Sequence, residues 1–337
     1  MNRRVFMASA AAAGAGAAAP LRLGIDLFSV RSQGWSPFQM LDYCARSKVK
    51  VAFFSEIRFL GSLERDHLAK VRAHAAKLGL DVEIGMKSIC PSSRMFDAAQ
   101  GTAEAQLGRM IGAAKAAGSP IVRAVLGSSA DRAGDGGIER HIENTIRVLR
   151  NVRSQAEGEG IRIAIENHSG DMQARELKML IDAAGREFVG ACLDSGNPVW
   201  AIEDPHLALE VLAPYTLTSH VRDSYLWRVP EGVAVRWVRM GEGNVDILGY
   251  IRKFAALCPG KALALEVIVT GPRVFRCLEP AFWSAYLSTP AWEFSRFLAL
   301  AETGKPQEVP KVAKEQMAAR ELEDMEASLL WAQRNVT

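Results

Sequence analysis

The sequence contains no C-x-x-C pair, and its five cysteines (Cys44, Cys90, Cys192, Cys258, Cys277) are odd in number and widely scattered. That pattern encodes neither a disulfide framework nor a thiolate zinc site. Charge of one sign is also missing: 41 Lys and Arg meet 38 Asp and Glu, a formal +3 that falls by two, to +1, without Arg3 and Arg4. Such a balance offers no basic footprint for a nucleic-acid backbone and no hold on an anionic membrane. The segment LGIDLFSVRSQG lacks the G-x-G-x-x-G of a dinucleotide fold, and no stretch rich in Pro, Gly or Ser divides the chain. What is present is ordinary globular material, 337 residues with 49% hydrophobic and 23% charged, and it is read as one domain after a short leader.

The leader is MNRRVFMASAAAAGAGAAAP. Adjacent arginines, a weakly apolar Ala/Gly run and small residues of the A-x-A type have the form of a secretory signal, and the run from Ala8 to Ala19 is too short to span a bilayer. The paired arginines resemble the twin-arginine export signal. Residues 1–19 are therefore expected to be removed by the export machinery, leaving a periplasmic protein without stable membrane insertion.

From Leu21 onward eight aliphatic runs recur: LRLGIDLFSV, VKVAFF, LDVEIGM, IVRAVLG, IRIAIE, VGACLD, LTSHV and ALALEVIV. Amphipathic stretches lie between them. Ile138, Ile142, Ile146 and Leu149, for example, fall at i, i+4, i+8 and i+11 and form one apolar stripe. Strand alternating with helix implies parallel pairing through right-handed crossovers, and eight such units predict a single (β/α)8 TIM barrel over residues 21–305. PAWEFSRFLALAETG is expected to be the last barrel helix. Residues 306–337 are expected to add a C-terminal helix that braces the barrel or a second copy in a homo-oligomer.

Side chains alternate across a strand, so facing can be read from parity. Glu166 shares its face with Ala164, Asp194 with Cys192 and Gly190, Glu266 with Ala264 and Ala262, and His220 with Thr218. On all four strands the bulky aliphatics point outward, small residues face the axis, and the last inward position is a metal-ligand type. That position is the C-terminal mouth, where barrels of this kind place their chemistry. Three carboxylates converging there would repel and be costly to desolvate unless a cation neutralised them. Oxygen-rich ligands with one imidazole suit a single divalent ion such as Mn²⁺, Mg²⁺ or Co²⁺ better than Zn²⁺.

AIENHSGD, ACLDSGN, SHVRDS with the following VRMGEGNVD, and LALEVI resemble the fifth to eighth strand ends of the xylose isomerase-like barrel superfamily, in its sugar phosphate isomerase/epimerase branch. The resemblance implies one metal held by Glu166, Asp194, His220 and Glu266, with Glu166 and Glu266 also catalytic as the proton-transfer pair. It further implies substrate contacts from His168, Asn197, Arg222 and Asp223. Asn197 stands where some ketose epimerases carry a histidine, and Arg222 replaces the usual lysine. The function implied is a metal-dependent sugar isomerase or epimerase working through an enediolate. The alternatives are a dehydratase or lyase on a keto-sugar or 3-keto-glycoside, and a periplasmic sugar-binding module. Apurinic endonucleases share the barrel but use three zincs and many more histidines than the 6 found here.

Other features carry less. Asp246 in GEGNVD is expected to cap a helix. Trp227 and Trp237, in a long seventh loop, are expected to stack on a sugar ring, to cover the site or merely to pack the loop. Glu56 and Lys87 either touch substrate or pair at the surface, and His67, His74, His141 and His206 are expected to be solvated.

Overall fold

A computed structural model describes residues 21–134, 136–309 and 312–336. The leader lies outside these residues. Seven strands come first: β1 (Arg22–Asp26), β2 (Val51–Phe54), β3 (Asp81–Ser88), β4 (Ile121–Val125), β5 (Arg162–Glu166), β6 (Val189–Asp194) and β7 (Thr216–Val221). Then follow β8 (Asp223–Val229), β9 (Gly232–Val238), β10 (Ala262–Leu265) and β11 (Arg273–Phe275). β1 to β7 and β10 close a parallel barrel in the order β1-β10-β7-β6-β5-β4-β3-β2, so all eight runs form the barrel expected of them.

The helices begin with α1 (Pro37–Arg46), α2 (Arg65–Lys77), α3 (Ala103–Ala117), α4 (Ser129–Arg132) and α5 (Gly137–Glu159). They continue with α6 (Ala174–Ala184), α7 (Pro205–Leu212), α8 (Ile247–Leu257), α9 (Ala291–Ala301) and α10 (Met317–Asn335). Local chemistry sets their ends. Ser36 and Gln39 form a reciprocal capping box on α1, Thr102 caps α3, and Asp246 caps α8 by accepting from the Gly249 N–H at 2.9 Å. In α5 the stripe behaves as expected, with Ile138, Ile142 and Leu149 buried against the barrel.

Facing follows parity with one exception. Ala164, Cys192 and Ala264 lie inside the barrel, and Ile163, Ile165, Ala191, Leu193, Leu263 and Leu265 join the helix layer. The interior is not lined by small residues alone, however: Phe53, Ile121 and Leu217 fill it as well. Leu217 arrives there because the β6–β7 register passes from Ala191↔Thr216 to Cys192↔Thr218, which makes it the extra residue of a bulge.

Two expectations are corrected, and a third is narrowed. The long seventh loop is an antiparallel hairpin, β8–β9, which pairs with β11 in a second, three-stranded sheet. The intended last barrel helix, α9, packs Phe297 and Ala301 against Leu226, Val233 and Phe275 of that sheet instead. α10 joins the main core through Met325, Leu329 and Ala332 and lies along the turn Leu27–Val30 that follows β1. Its polar side clamps the mouth loops: Glu321 accepts from the Ser32 N–H and Oγ, each at 2.9 Å, and Ser328 Oγ accepts from the Met240 N–H at 3.1 Å. Of its two expected roles, α10 thus performs the bracing of the barrel.

Candidate metal centre

Each of the four convergent residues is placed by the end of a barrel strand. Glu166 and Asp194 are the final residues of β5 and β6, His220 is next to last in β7, and Glu266 follows β10 directly. One ligand atom from each lies within 4.8 Å of the others, and all four side chains are buried. Nδ1 of His220 is 3.1 Å from Glu166 Oε2 and 3.2 Å from Glu266 Oε2, yet it makes no hydrogen bond of acceptable geometry. A buried nitrogen aimed between carboxylate oxygens without bonding them fits a cation ligand.

The charge around the cluster supports the same fit. Two arginines that the sequence pattern did not single out for this position flank it. Arg123 of β4 donates from Nε to Glu166 Oε2 at 2.5 Å, and Arg222 donates from Nε to Asp194 Oδ2 at 2.9 Å and also pairs with Glu266. Asp26, at the end of β1, adds a fourth buried carboxylate, its Oδ2 3.1 Å from His220 Nε2. With His220 neutral, as a ligand must be, four carboxylates against two guanidiniums leave an excess of two negative charges, the charge of one divalent ion. Without a cation the same carboxylates, against the opposing effect of burial, raise the basicity of His220 well above its ordinary value. Burial pushes the Asp194 carboxyl up to about 7 against the pull of Arg222, and the Asp26 carboxyl up to about 6 against that of His220. Protons therefore compete with a cation for this excess. Burial alone would raise the two glutamates too, but Arg123 holds Glu166 well below the usual carboxylate range and Arg222 brings Glu266 down to about 2.

A cavity of about 330 Å³ opens above the cluster, lined among others by His168, Arg123, Arg222, Trp237 and Glu266. His168 is fixed by its backbone N–H donating to Asp171 Oδ1 at 2.8 Å and by Nδ1 meeting the Gly127 carbonyl at 2.7 Å, while Nε2 lies 3.3 Å from the hydroxyl of Ser169, which also lines the cavity. Burial lowers the basicity of His168. Asn197 and Asp223, expected beside substrate, do not line this cavity, and the buried Asn197 Oδ1 has no hydrogen-bond partner among the described residues. Asn197 donates from Nδ2 to Glu166 Oε1 at 3.0 Å, and Asp223 accepts from the N–H groups of Ser224, Gly241 and Gly243. Glu56 and Lys87 line the cavity rim and pair at 3.9 Å, so both of their expected roles are open to them.

Of the two tryptophans, Trp237 lines the cavity and Trp227 does not. The Trp237 and Trp200 rings lie face to face at 4.0 Å, the Arg222 guanidinium sits 4.1 Å from the Trp237 centroid, and that of Arg273 sits 4.7 Å from Trp200. Each indole thus has both faces occupied, and the four-layer pile forms one cavity wall. Trp227 is buried against Tyr225 in the hairpin. His141 is not solvated: it is 6% exposed, its Nδ1 2.8 Å from Ser92 Oγ.

Period-two alternation in SYLWRV and VAVRWV, on either side of Pro-Glu-Gly, could have revealed the hairpin. Asp26 could have been found by applying the same parity rule to the first strand. Arg123 left no usable signal, because a mid-strand arginine reads as an exposed face.

The sequence profile of the xylose isomerase-like TIM barrel family matches residues 42–271. Among curated proteins, 3-oxo-isoapionate decarboxylase of Pectobacterium atrosepticum is 25% identical over 204 residues, 60% of this chain and 62% of that protein, so the chain spans less than two thirds of this relative's length. Among solved structures, D-psicose 3-epimerase of Clostridium cellulolyticum H10 superposes with a TM-score of 0.62 at 13% identity, covering 94% of this chain and 99% of its own. An IOLI protein with a bound zinc atom superposes with a TM-score of 0.57 at 14% identity, covering 83% and 96% respectively. At these identities the structural likenesses establish the fold.

Proposed function

The chain belongs to the xylose isomerase-like TIM barrel family, and from that premise we propose that it is a divalent-metal-dependent enzyme that moves a proton on a sugar or sugar derivative, as an isomerase or epimerase. The observation that carries this is the convergence of Glu166, Asp194, His220 and Glu266 within 4.8 Å at the barrel mouth, beneath a cavity of sugar size. A divalent ion held there, Mn²⁺, Mg²⁺ or Co²⁺, would polarise a carbonyl and its neighbouring hydroxyl and stabilise the negative charge that develops on them.

The chain's own groups supply the rest. Glu266 presents its carboxylate to the cavity and takes the proton beside the carbonyl, giving an enediolate. Glu166 returns a proton from the other side, to the same carbon in epimerisation and to the neighbouring carbon in isomerisation. His168 orients substrate through Nε2, and Arg222 holds Glu266 and Asp194 in place. Asn197 contributes by fixing Glu166, and Asp223 by shaping the loop after β9.

A second reading, as a lyase, is favoured by one observation. Glu166 is completely buried beneath Arg123 and Asn197 and does not line the cavity, so only one of the two glutamates opens onto substrate. Release of CO₂ from a carboxylate, its electron pair staying on the enediolate, or of water or an alcohol once Glu266 has taken the proton beside the carbonyl, needs no second base, and the relative named above is a decarboxylase. We also assign residues 1–19 to a removable export signal with periplasmic placement, 21–305 to the barrel and 306–337 to the helical extension.

Incubating the Mn²⁺-loaded protein with ketoses, aldoses, 3-keto-glycosides and 3-keto acids in heavy water, followed by NMR, separates these readings. Deuterium retained at one inverted stereocentre marks an epimerase, and at a neighbouring carbon an isomerase. An unsaturated, cleaved or decarboxylated product marks a lyase. A sugar held with no exchange marks a binding module and defeats the proposal. Glu266→Gln should lower exchange by about 10²-fold or more.

A further inference from the structure

Asp26 lies outside the set of four that can share an ion, yet it is completely buried beside it. Its Oδ1 accepts from the Ser55 hydroxyl at 2.6 Å and from the Phe28 N–H at 2.9 Å, which fixes the carboxylate plane. Its Oδ2 has no hydrogen bond and faces His220 Nε2 at 3.1 Å. The other ring nitrogen, Nδ1, points between Glu166 and Glu266. The Phe53 ring, 4.6 Å from the imidazole and tilted by 60°, restrains its rotation.

A neutral imidazole carries one N–H, and the hydrogen bond made by one nitrogen decides which proton the other keeps. Nδ1 lies between the Glu166 and Glu266 carboxylates, with the Cys192 thiol also beside the ring, and can serve a cation there only as a lone pair. The proton must then sit on Nε2, where Asp26 is the facing acceptor. We propose that Asp26 is a positioning residue that takes the Nε2–H of His220 and so presents Nδ1 to the cation. Ser55 and the Phe28 amide hold Asp26 for this task. The contact passes over β10, which separates β1 from β7 in the barrel, so two ends of the chain's first and seventh strands are made to act as one unit. Carboxylate–histidine–metal arrangements of this kind strengthen metal binding about 10- to 100-fold.

The inference rests on the metal assignment above, and its test separates the two. Calorimetric titration of the full chain with Mn²⁺ is compared for the unaltered protein, Asp26→Asn and Ser55→Ala, and the ¹⁵N shifts of His220 are read in the Mg²⁺-loaded protein. The expected results are an Nε2–H tautomer, affinity about 10- to 100-fold weaker in Asp26→Asn, and a smaller loss in Ser55→Ala. Affinity within twofold of the unaltered protein in a folded Asp26→Asn, or an Nδ1–H tautomer in the loaded unaltered protein, overturns the inference. The tautomer measurement needs no variant, so a misfolded Asp26→Asn does not rescue it. A failure of the unaltered protein to bind Mn²⁺ or Mg²⁺ would bring down the metal assignment itself, and this inference with it.

Discussion

Glu203 does not line the cavity above the cluster, and its carboxylate accepts only the Ala174 N–H, at 3.1 Å. Burial pushes it up to about 8 from an ordinary 4.5, so the folded chain keeps a proton that the unfolded chain has already released. Between those two values the native state binds more protons, and stability falls as pH rises; above the upper value the loss is complete. At about 1.4 kcal/mol per pKa unit the effect is on the order of a few kcal/mol. Glu203→Gln should therefore remove much of the fall in melting temperature between about pH 5 and 9, leaving the variant the more stable of the two at the alkaline end. A variant whose melting profile parallels the original would show that Glu203 does not carry this dependence. At this scale the four ligand candidates were legible, since strand parity places a residue on a face with no knowledge of its neighbours. Arg123, Asp26 and the true setting of His141 were not, because partnership across the barrel is invisible from one strand.

Among the elements, the β5–α6 connection is closely fitted to the chain after β6. Gly170 has φ +77°, and a Cβ there would come within 2.3 Å of the Trp200 carbonyl oxygen. Only glycine meets both the left-handed backbone and the close approach. Gly170→Ala should cost about 2 kcal/mol or more, seen as a lower denaturant midpoint with an unchanged slope, and should loosen the neighbouring Trp200–Trp237 pile. Most elements could be located from local signals: apolar runs for strands, stripes and caps for helices. The ones misjudged were those whose partner is remote in sequence. α9 has a helix's pattern, but nothing in that pattern says that a hairpin sheet, and not the barrel wall, will receive Phe297.

For the whole molecule, an excess of negative charge shut inside the barrel mouth would couple the binding of a cation to folding. Whatever binds the native state alone stabilises it, by about 2.7 kcal/mol at a hundredfold excess over the dissociation constant. Mn²⁺ should raise the melting temperature in a concentration-dependent way and EDTA should reverse it, while equal ionic strength of NaCl should do neither. An unchanged melting temperature at saturating Mn²⁺ would show that the mouth does not hold the ion.

By itself the sequence determined which segments become the eight barrel strands and the helices between them, and which side chains end four of those strands on the inner face. These depend on periodicity and backbone preference, which act over a few residues. Tertiary structure alone decided that Leu217 enters the barrel through a bulge, that α10 locks the turn after β1, and that Asp26 and His220 meet across β10. Those outcomes depend on contacts between segments many residues apart, settled by closure of the ring and by the burial of charge that must find a partner inside it.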